Sequence, residues 1–285
     1  MTVRVICDSS QNVPEVYLAR LGIVEVQASL IFGDEVYLNK VDMSEAEFYQ
    51  RLMDLPKGTP LPTTAQPSPG QFLQALRQAK AEGATSAIVT TVTAKLSGTY
   101  NSALQAAQME TEIPVTVWDT AGISLGAGWQ TIRAAELAQT GAAHDEIMAA
   151  LARCRDHITT LFTVDTLKYL AASGRLSSAQ AMMGALLNIK PMLMVDDGIL
   201  KPVGRERGRR SAKAALIELA LARVGDQPVR VAVAHTNVLE EAQAFEPQVR
   251  AALNVQELLI VELGPVLAAL AGPGVMALGM MQVTP

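Results

Sequence analysis

The side chains of this chain whose type and setting could do chemistry are Ser97, Thr64 and a run of arginines ending at Arg210, and the chemistry they suggest is the holding of an anion. Ser97 follows the strand-like run Ser86-Ala-Ile-Val-Thr-Thr-Val92 and the link Thr-Ala-Lys-Leu96, and it opens a helical stretch that reaches Gln108. The first turn of a helix leaves N–H groups without partners and carries partial positive charge, so a Ser N-cap followed by Gly98 makes a seat for an anion. It also makes a good cap on a purely structural helix. Thr63 and Thr64 stand in the proline-rich stretch Pro56 to Pro67, which suits neither a helix nor a central strand and is read as an ordered loop. That loop either serves a ligand or leads into the next helix. Val203-Gly-Arg-Glu-Arg-Gly-Arg-Arg210 is open to three readings: a solvated face, a phosphate site or a docking face for a partner.

Catalytic patterns do not accompany these groups. Ser97 lies in Leu-Ser-Gly-Thr, without the Gly-x-Ser-x-Gly elbow of a serine hydrolase, and His144, His157 and His235 are scattered. The chain contains neither a Gly-x-Gly-x-x-Gly fingerprint nor a phosphate loop ending in Gly-Lys-Ser/Thr. Cys7 and Cys154 lie far apart, with no Cys or His at ligand spacing, so no metal site is proposed and both thiols are expected to be free.

Composition narrows the partners. At 285 residues and 49% hydrophobic content, the chain can bury one large core or two ordinary ones. A net charge of -5 argues against a general affinity for nucleic acid or anionic membrane. Leu263 to Val283 carries no charge and is long enough to span a bilayer, but Gly264-Pro265 and Gly272-Pro273-Gly274 cut it into a turn, a short buried helix and a final core strand. No signal-peptide pattern opens the chain, which is read as cytoplasmic.

The elements that must position these groups alternate through the first half. Val3 to Cys7 reads as a strand, Glu15 to Leu21 as a helix, and Ile23 to Ile31 with Glu35 to Leu38 as a hairpin about Gly33-Asp34. Capping boxes at Ser44-Glu-Ala-Glu47 and Ser68-Pro-Gly-Gln71 start two helices. Strand 86–92, the helix from Ser97, strand 115–118 and helix 124–139 then imply a mostly parallel sheet with helices on both faces. Ligands of such sheets bind beyond the carboxyl ends of the strands, where Asp8-Ser9, Thr93 to Ser97 and Asp119-Thr120 would gather. After a helix at 145–156 the pattern turns to α+β, with strands at 160–164, 192–195, 199–203, 229–234 and 258–261 and helices at 209–223 and 239–248. The expected domains are therefore 1–156 and 157–285.

Many short segments, in one order, carry a resemblance that spans nearly the whole chain. They are Asp8-Ser-Ser, Thr64-Ala-Gln-Pro-Ser-Pro-Gly70, Lys95-Leu-Ser-Gly-Thr-Tyr-Asn-Ser-Ala103, Asp119-Thr, Ser173-Gly-Arg-Leu176, Leu186-Leu-Asn-Ile-Lys-Pro191, Asp197-Gly198, Arg205-Glu-Arg-Gly-Arg-Arg-Ser-Ala212, Gly264-Pro-Val266 and Gly272-Pro-Gly274. In these the chain resembles the DegV family, the fatty-acid-binding proteins also called FakB. The resemblance implies a two-domain α/β protein that encloses one long-chain fatty acid, such as palmitate, stearate or oleate, between its domains. By motif match, Thr64 and Ser97 would hold the carboxylate and Arg207 would supply a nearby counter-charge. The family's members present the acyl group to a separate ATP-dependent fatty-acid kinase, so the resemblance implies a carrier with no catalytic residues and no cofactor beyond the fatty acid. Arg175 and Arg209 are the candidate kinase contacts.

This chain departs from some members, which have a His just before the Gly-Pro-Gly segment where it reads Ala269-Leu270, and Ala65 stands where the loop motif has Ser. The alternative reading is an enzyme for a small or phosphorylated substrate on a related α/β framework. For a fatty acid, charge-assisted hydrogen bonds would offset the cost of burying the carboxylate. A fifteen-carbon tail would contribute roughly 12 kcal/mol gross, at ~0.8 kcal/mol per CH₂. Met182, Met183, Leu186, Leu187, Met192, Met194, Met276, Met280 and Met281 offer adaptable side chains, either for that tail or for a methionine-rich core.

Overall fold

In a computed structural model of the chain, residues 2–56, 58–176 and 188–283 are described. Contacts divide them into two compact units, one built from residues 1–28 and 66–157 and the other from 29–65 and 158–285. The cut expected near residue 156 is thus met by a second exchange: the segment 29–65, assigned from sequence to the first domain, packs with the C-terminal part.

The first unit holds β1 (Val3–Asp8), α1 (Glu15–Leu21), β2 (Val24–Val26), α3 (Pro69–Ala81), β6 (Ser86–Thr91), α4 (Thr99–Met109), β7 (Val115–Asp119), α5 (Ser124–Gln139) and α6 (His144–Arg155). Its four strands run parallel in the order β2-β1-β6-β7. Ile6, Ala87 and Val89 on one face pack with Phe72 and Leu76 of α3 and Ala103 and Ala106 of α4. The buried helix α5 packs against β1 and is in turn flanked by α1 and α6. A sheet covered on both faces explains why every residue of β6 and all but Arg4 of β1 are buried. The chain leaves β1 toward β2 on one side and returns to β6 on the other, so the switch point lies between the carboxyl ends of β1 and β6.

The second unit contains β3 (Ser29–Phe32), β4 (Glu35–Leu38), α2 (Glu45–Met53), β5 (Thr63–Ala65), β8 (Ile158–Thr163), α7 (Lys168–Ala172), β9 (Ile189–Asp196), β10 (Ile199–Arg207), α8 (Arg209–Val224), β11 (Val229–His235), α9 (Leu239–Ala252), β12 (Val255–Glu262), α10 (Pro265–Ala271) and β13 (Met276–Gln282). A six-stranded sheet runs β10-β9-β8-β13-β11-β12, antiparallel except for the β11–β12 pair. The small sheet β4-β3-β5 is antiparallel and packs against α10.

The expected hairpin about Gly33-Asp34 forms between β3 and β4, but its first arm, expected as one strand from Ile23 to Ile31, divides into β2 and β3 in two sheets. β2 ends at Val26, Ala28 N donates to Ser9 Oγ at 3.0 Å, and β3 then begins the small sheet. No turn residue marks Gln27-Ala28, and that bond to a residue far back in the chain stands at the break. Both capping boxes form: Ser44 Oγ accepts from Glu47 N and Ser68 Oγ from Gln71 N, each at 3.3 Å, with the partner side chains reaching back. Among the described residues, no helix is long and apolar enough to cross a membrane. The uncharged stretch after Leu263 forms α10 and β13.

Candidate functional site

The loop from Val92 to Gly98 is held from both neighbouring strand ends. Asp8, buried at the end of β1, accepts from Val92 N at 2.9 Å, Ser10 N at 3.0 Å and Gln11 Nε2 at 3.3 Å. Burial pushes its carboxyl above the ordinary value, against the pull of these hydrogen bonds. Gln11 also donates to Thr90 O at 2.8 Å, joining the turn after β1 to β6. From the other side, Asp119 at the end of β7 accepts from Ala94 N at 3.3 Å and Ala121 N at 2.9 Å, and Thr93 N donates to Gly122 O at 2.9 Å. Asp8 and Asp119 gather at the carboxyl ends as the topology requires, and their carboxylates are engaged in building this loop.

Ser97 rides on that frame. Helix α4 starts at Thr99 with Gly98 as its N-cap, so Ser97 stands one residue outside the cap position expected for it. Its Oγ accepts from Thr99 N at 3.3 Å and shares a hydrogen bond with Thr99 Oγ1 at 2.8 Å. Either hydroxyl of that pair can be the donor, and where Thr99 donates, the Ser97 O–H can donate to a ligand. Gln66 lies over Gly98: a Cβ there would be 2.9 Å from Gln66 Nε2, the far end of a flexible side chain.

Thr64 lies in the second unit, on the edge strand β5, opposite Leu30 of β3. It is half-buried, and its hydroxyl takes no hydrogen bond among the described residues. A short edge strand is the sheet position a proline-rich segment tolerates. Ala269 and Leu270 lie on α10, the helix packed against β5.

The basic segment divides by role. Arg207 ends β10 and is exposed, with no ion pair among the described residues. Arg209 is engaged within the fold: Nε donates to both carboxylate oxygens of Glu241 at 2.9 and 3.0 Å, and Nη1 to Asp165 Oδ1 at 2.7 Å and Gly274 O at 2.8 Å. Lys213 joins Glu241 at 3.2 Å and Lys190 joins Asp165 at 2.7 Å. Burial alone would raise the Glu241 carboxyl, but Arg209 and Lys213 outweigh it and hold it below the usual range. Arg209, expected as a partner contact, therefore clamps three segments of its own unit. Arg175 is half-buried and donates through Nη1 to Ser173 O.

Sequence reasoning missed what this clamp asks of Gly272-Pro-Gly274. Both glycines have positive φ, +80° and +84°. A Cβ on Gly272 would lie 2.3 Å from the Tyr169 ring, and one on Gly274 would lie 2.4 Å from Asp165 Oδ2. The positive φ was foreseeable from the residue types; the partners were not.

The apolar surface of the six-stranded sheet has two unlike faces. On one, Met192, Met194, Met276 and Met280 pack with Ala212 and Leu216 of α8 and Phe245 of α9. Four methionines considered for a ligand tail thus belong to the helix-side core. The opposite face carries a band of small residues across neighbouring strands: Ala232 pairs with Gly279 and Gly279 with Thr160, while Ala234 pairs with Ala277 and Ala277 with Phe162. Met281 shares this face by alternation along β13. Met182, Met183, Leu186 and Leu187 lie outside the described residues.

His235 ends β11 wholly buried, and neither ring nitrogen finds a partner among the described residues. Burial lowers its pKa from 6.5, so the unfolded chain binds the proton more readily. Its contribution to stability is full above pH 6.5 and is lost as pH falls from there toward the depressed folded value. Urea midpoints measured between pH 7.5 and 5 should therefore fall with acid, and His235→Leu should flatten that dependence; an equal slope in both proteins would contradict it. Among the described residues, no group of three or more His, Cys, Asp or Glu could hold a metal ion.

Comparison with known proteins agrees with this architecture. A DegV domain-containing protein of Deinococcus radiodurans is 36% identical over 275 residues, covering 96% of each chain. A DegV family protein from Thermus thermophilus, solved with fatty-acid binding as its subject, superimposes with a TM-score of 0.90 at 31% identity over 99% of this chain and 100% of that one. A stearic-acid-binding protein from Eubacterium ventriosum gives a TM-score of 0.91 at 26% identity over 98% of both chains. The family model described as uncharacterised protein, DegV family, matches residues 2–283, and the chain belongs to the DegV family.

Proposed function

We propose that this protein binds one long-chain fatty acid, with the Thr64 and Ser97 hydroxyls donating to its carboxylate. The observation that carries the reading is the Ser97 hydroxyl, fixed by Thr99 just outside the first turn of α4, with Gln66, two residues along the chain from Thr64, lying over Gly98. Donors held at the mouth of a helix suit a carboxylate better than water does, because their orientation is set before the ligand arrives. The relatives described as binding fatty acid, among them the Thermus and Eubacterium proteins, support the ligand class. The small-residue band on the second unit's sheet offers apolar surface for methylene groups. Exposed Arg207 is the counter-charge in this proposal.

The finer role is that of a carrier without catalytic residues, holding palmitate, stearate or oleate for a separate fatty-acid kinase in the cytoplasm. Arg175 is its docking contact; Arg209 acts through the clamp with Asp165 and Glu241. With ATP and an acyl kinase present, bound oleate should be converted to acyl phosphate, and the protein with ATP alone should form none. Acyl phosphate formed by the isolated protein would make it an enzyme and overturn the carrier role.

A further inference from the structure

We propose that Thr160 is a specificity residue for an oxygen carried along the acyl chain, so that the preferred ligand is a hydroxylated long-chain fatty acid; this rests on the fatty-acid reading above. Thr160 lies on β8, an interior strand between β9 and β13. Alternation places its side chain on the small-residue face: Leu161 on its one side belongs to the helix-side core, while Thr160 pairs with Gly279 and Val195 and shares its face with Phe162. It is 4% exposed, and its Oγ1 has no hydrogen-bond partner among the described residues.

A polar group in that position needs a reason. A buried hydroxyl left unpaired is costly, and Val, nearly the same shape and an equally good strand former, would carry no such penalty. Trapped water is a poor partner, because it needs two to four polar contacts of its own. Around Thr160 this face offers Gly279, Ala232, Ala277, Phe162 and Val195, none of which has a polar side chain, and the backbone of an interior strand is bound into its ladders. The same small residues add little height to the sheet beside Thr160, and the proposal lays the methylenes over them. A plain acyl chain would leave the hydroxyl unpaired, whereas a chain with its own hydroxyl at the matching carbon would both give and accept a hydrogen bond.

The test is calorimetric titration of the delipidated full chain with stearate and with a positional series of hydroxystearates. At least one isomer should bind about fivefold or more tightly than stearate, as expected for one added buried hydrogen bond. Thr160→Val should abolish that preference while keeping or improving stearate affinity, and Thr160→Ser should retain it. The proposal is overturned if no isomer outcompetes stearate, or if the preference survives in Thr160→Val. Failure to bind stearate and every hydroxystearate alike would instead remove the fatty-acid reading itself.

Discussion

Thr64→Val and Ser97→Ala are each expected to weaken fatty-acid binding by about 1–3 kcal/mol, roughly 5- to 150-fold in Kd. In the proposed site each change removes one donor and leaves a carboxylate oxygen without its partner, and the penalty for an unsatisfied charged group exceeds the net worth of a typical hydrogen bond. Thr64→Val is mild for the fold, because Thr64 sits on a short edge strand with its hydroxyl unengaged, and the thermal melt of this ligand-free variant should stay close to the parent. Ser97→Ala also removes the hydrogen bonds to Thr99 N and to the buried Thr99 Oγ1, so its melt should fall modestly. The double variant carries the sharper information: two hydroxyls that serve one carboxylate should be coupled, with a combined loss departing from the sum by about 0.5 kcal/mol or more. Strict additivity, or full binding in the double variant, would place the head group elsewhere. Isothermal titration with palmitate at fixed pH and salt measures all four proteins.

Gly272→Ala and Gly274→Ala are expected to destabilise the second unit by about 2–5 kcal/mol each, the sum of a left-handed backbone penalty and an overpacking cost. At Gly272 the added carbon meets the Tyr169 ring, and at Gly274 it meets the carboxylate that pairs with Arg209. The two should respond differently to a second change. Tyr169→Ala makes room beside Gly272 and should recover part of the loss in Gly272→Ala, with no benefit to Gly274→Ala. Urea denaturation provides the measurement; equal midpoints for Gly272→Ala and the parent would contradict the described turn.

Local signals made much of this fold readable, and non-local bonds account for the rest. Helix α5 begins and ends at the residues expected for it, and both capping boxes form as their spacing required. The start of α4 was misplaced because Ser97 bonds to the N–H two residues on, a local turn that resembles a cap in sequence. The allegiance of residues 29–65 depends on partners hundreds of residues away, including Asn39 Oδ1, which accepts from Val266 N at 3.2 Å. No window of sequence shows that bond. Met192, Met194, Met276, Met280 and Met281 are buried, but which face of the sheet each occupies follows from strand register, which pairs Met276 with His235 and Thr163. Ionic engagement was equally hidden. Arg207 and Arg209 look alike in a run of arginines, yet only Arg209 lies within reach of Asp165 and Glu241.

Most of what is claimed for the site depends on the chain holding a fatty acid at all, and that can be tested without any variant. Protein purified without added lipid, extracted with organic solvent and analysed by quantitative mass spectrometry, should yield about one long-chain fatty acid per chain, since a ligand held this tightly survives purification. Protein that carries no fatty acid, and that after delipidation also fails to take up palmitate, stearate or oleate, would contradict the account.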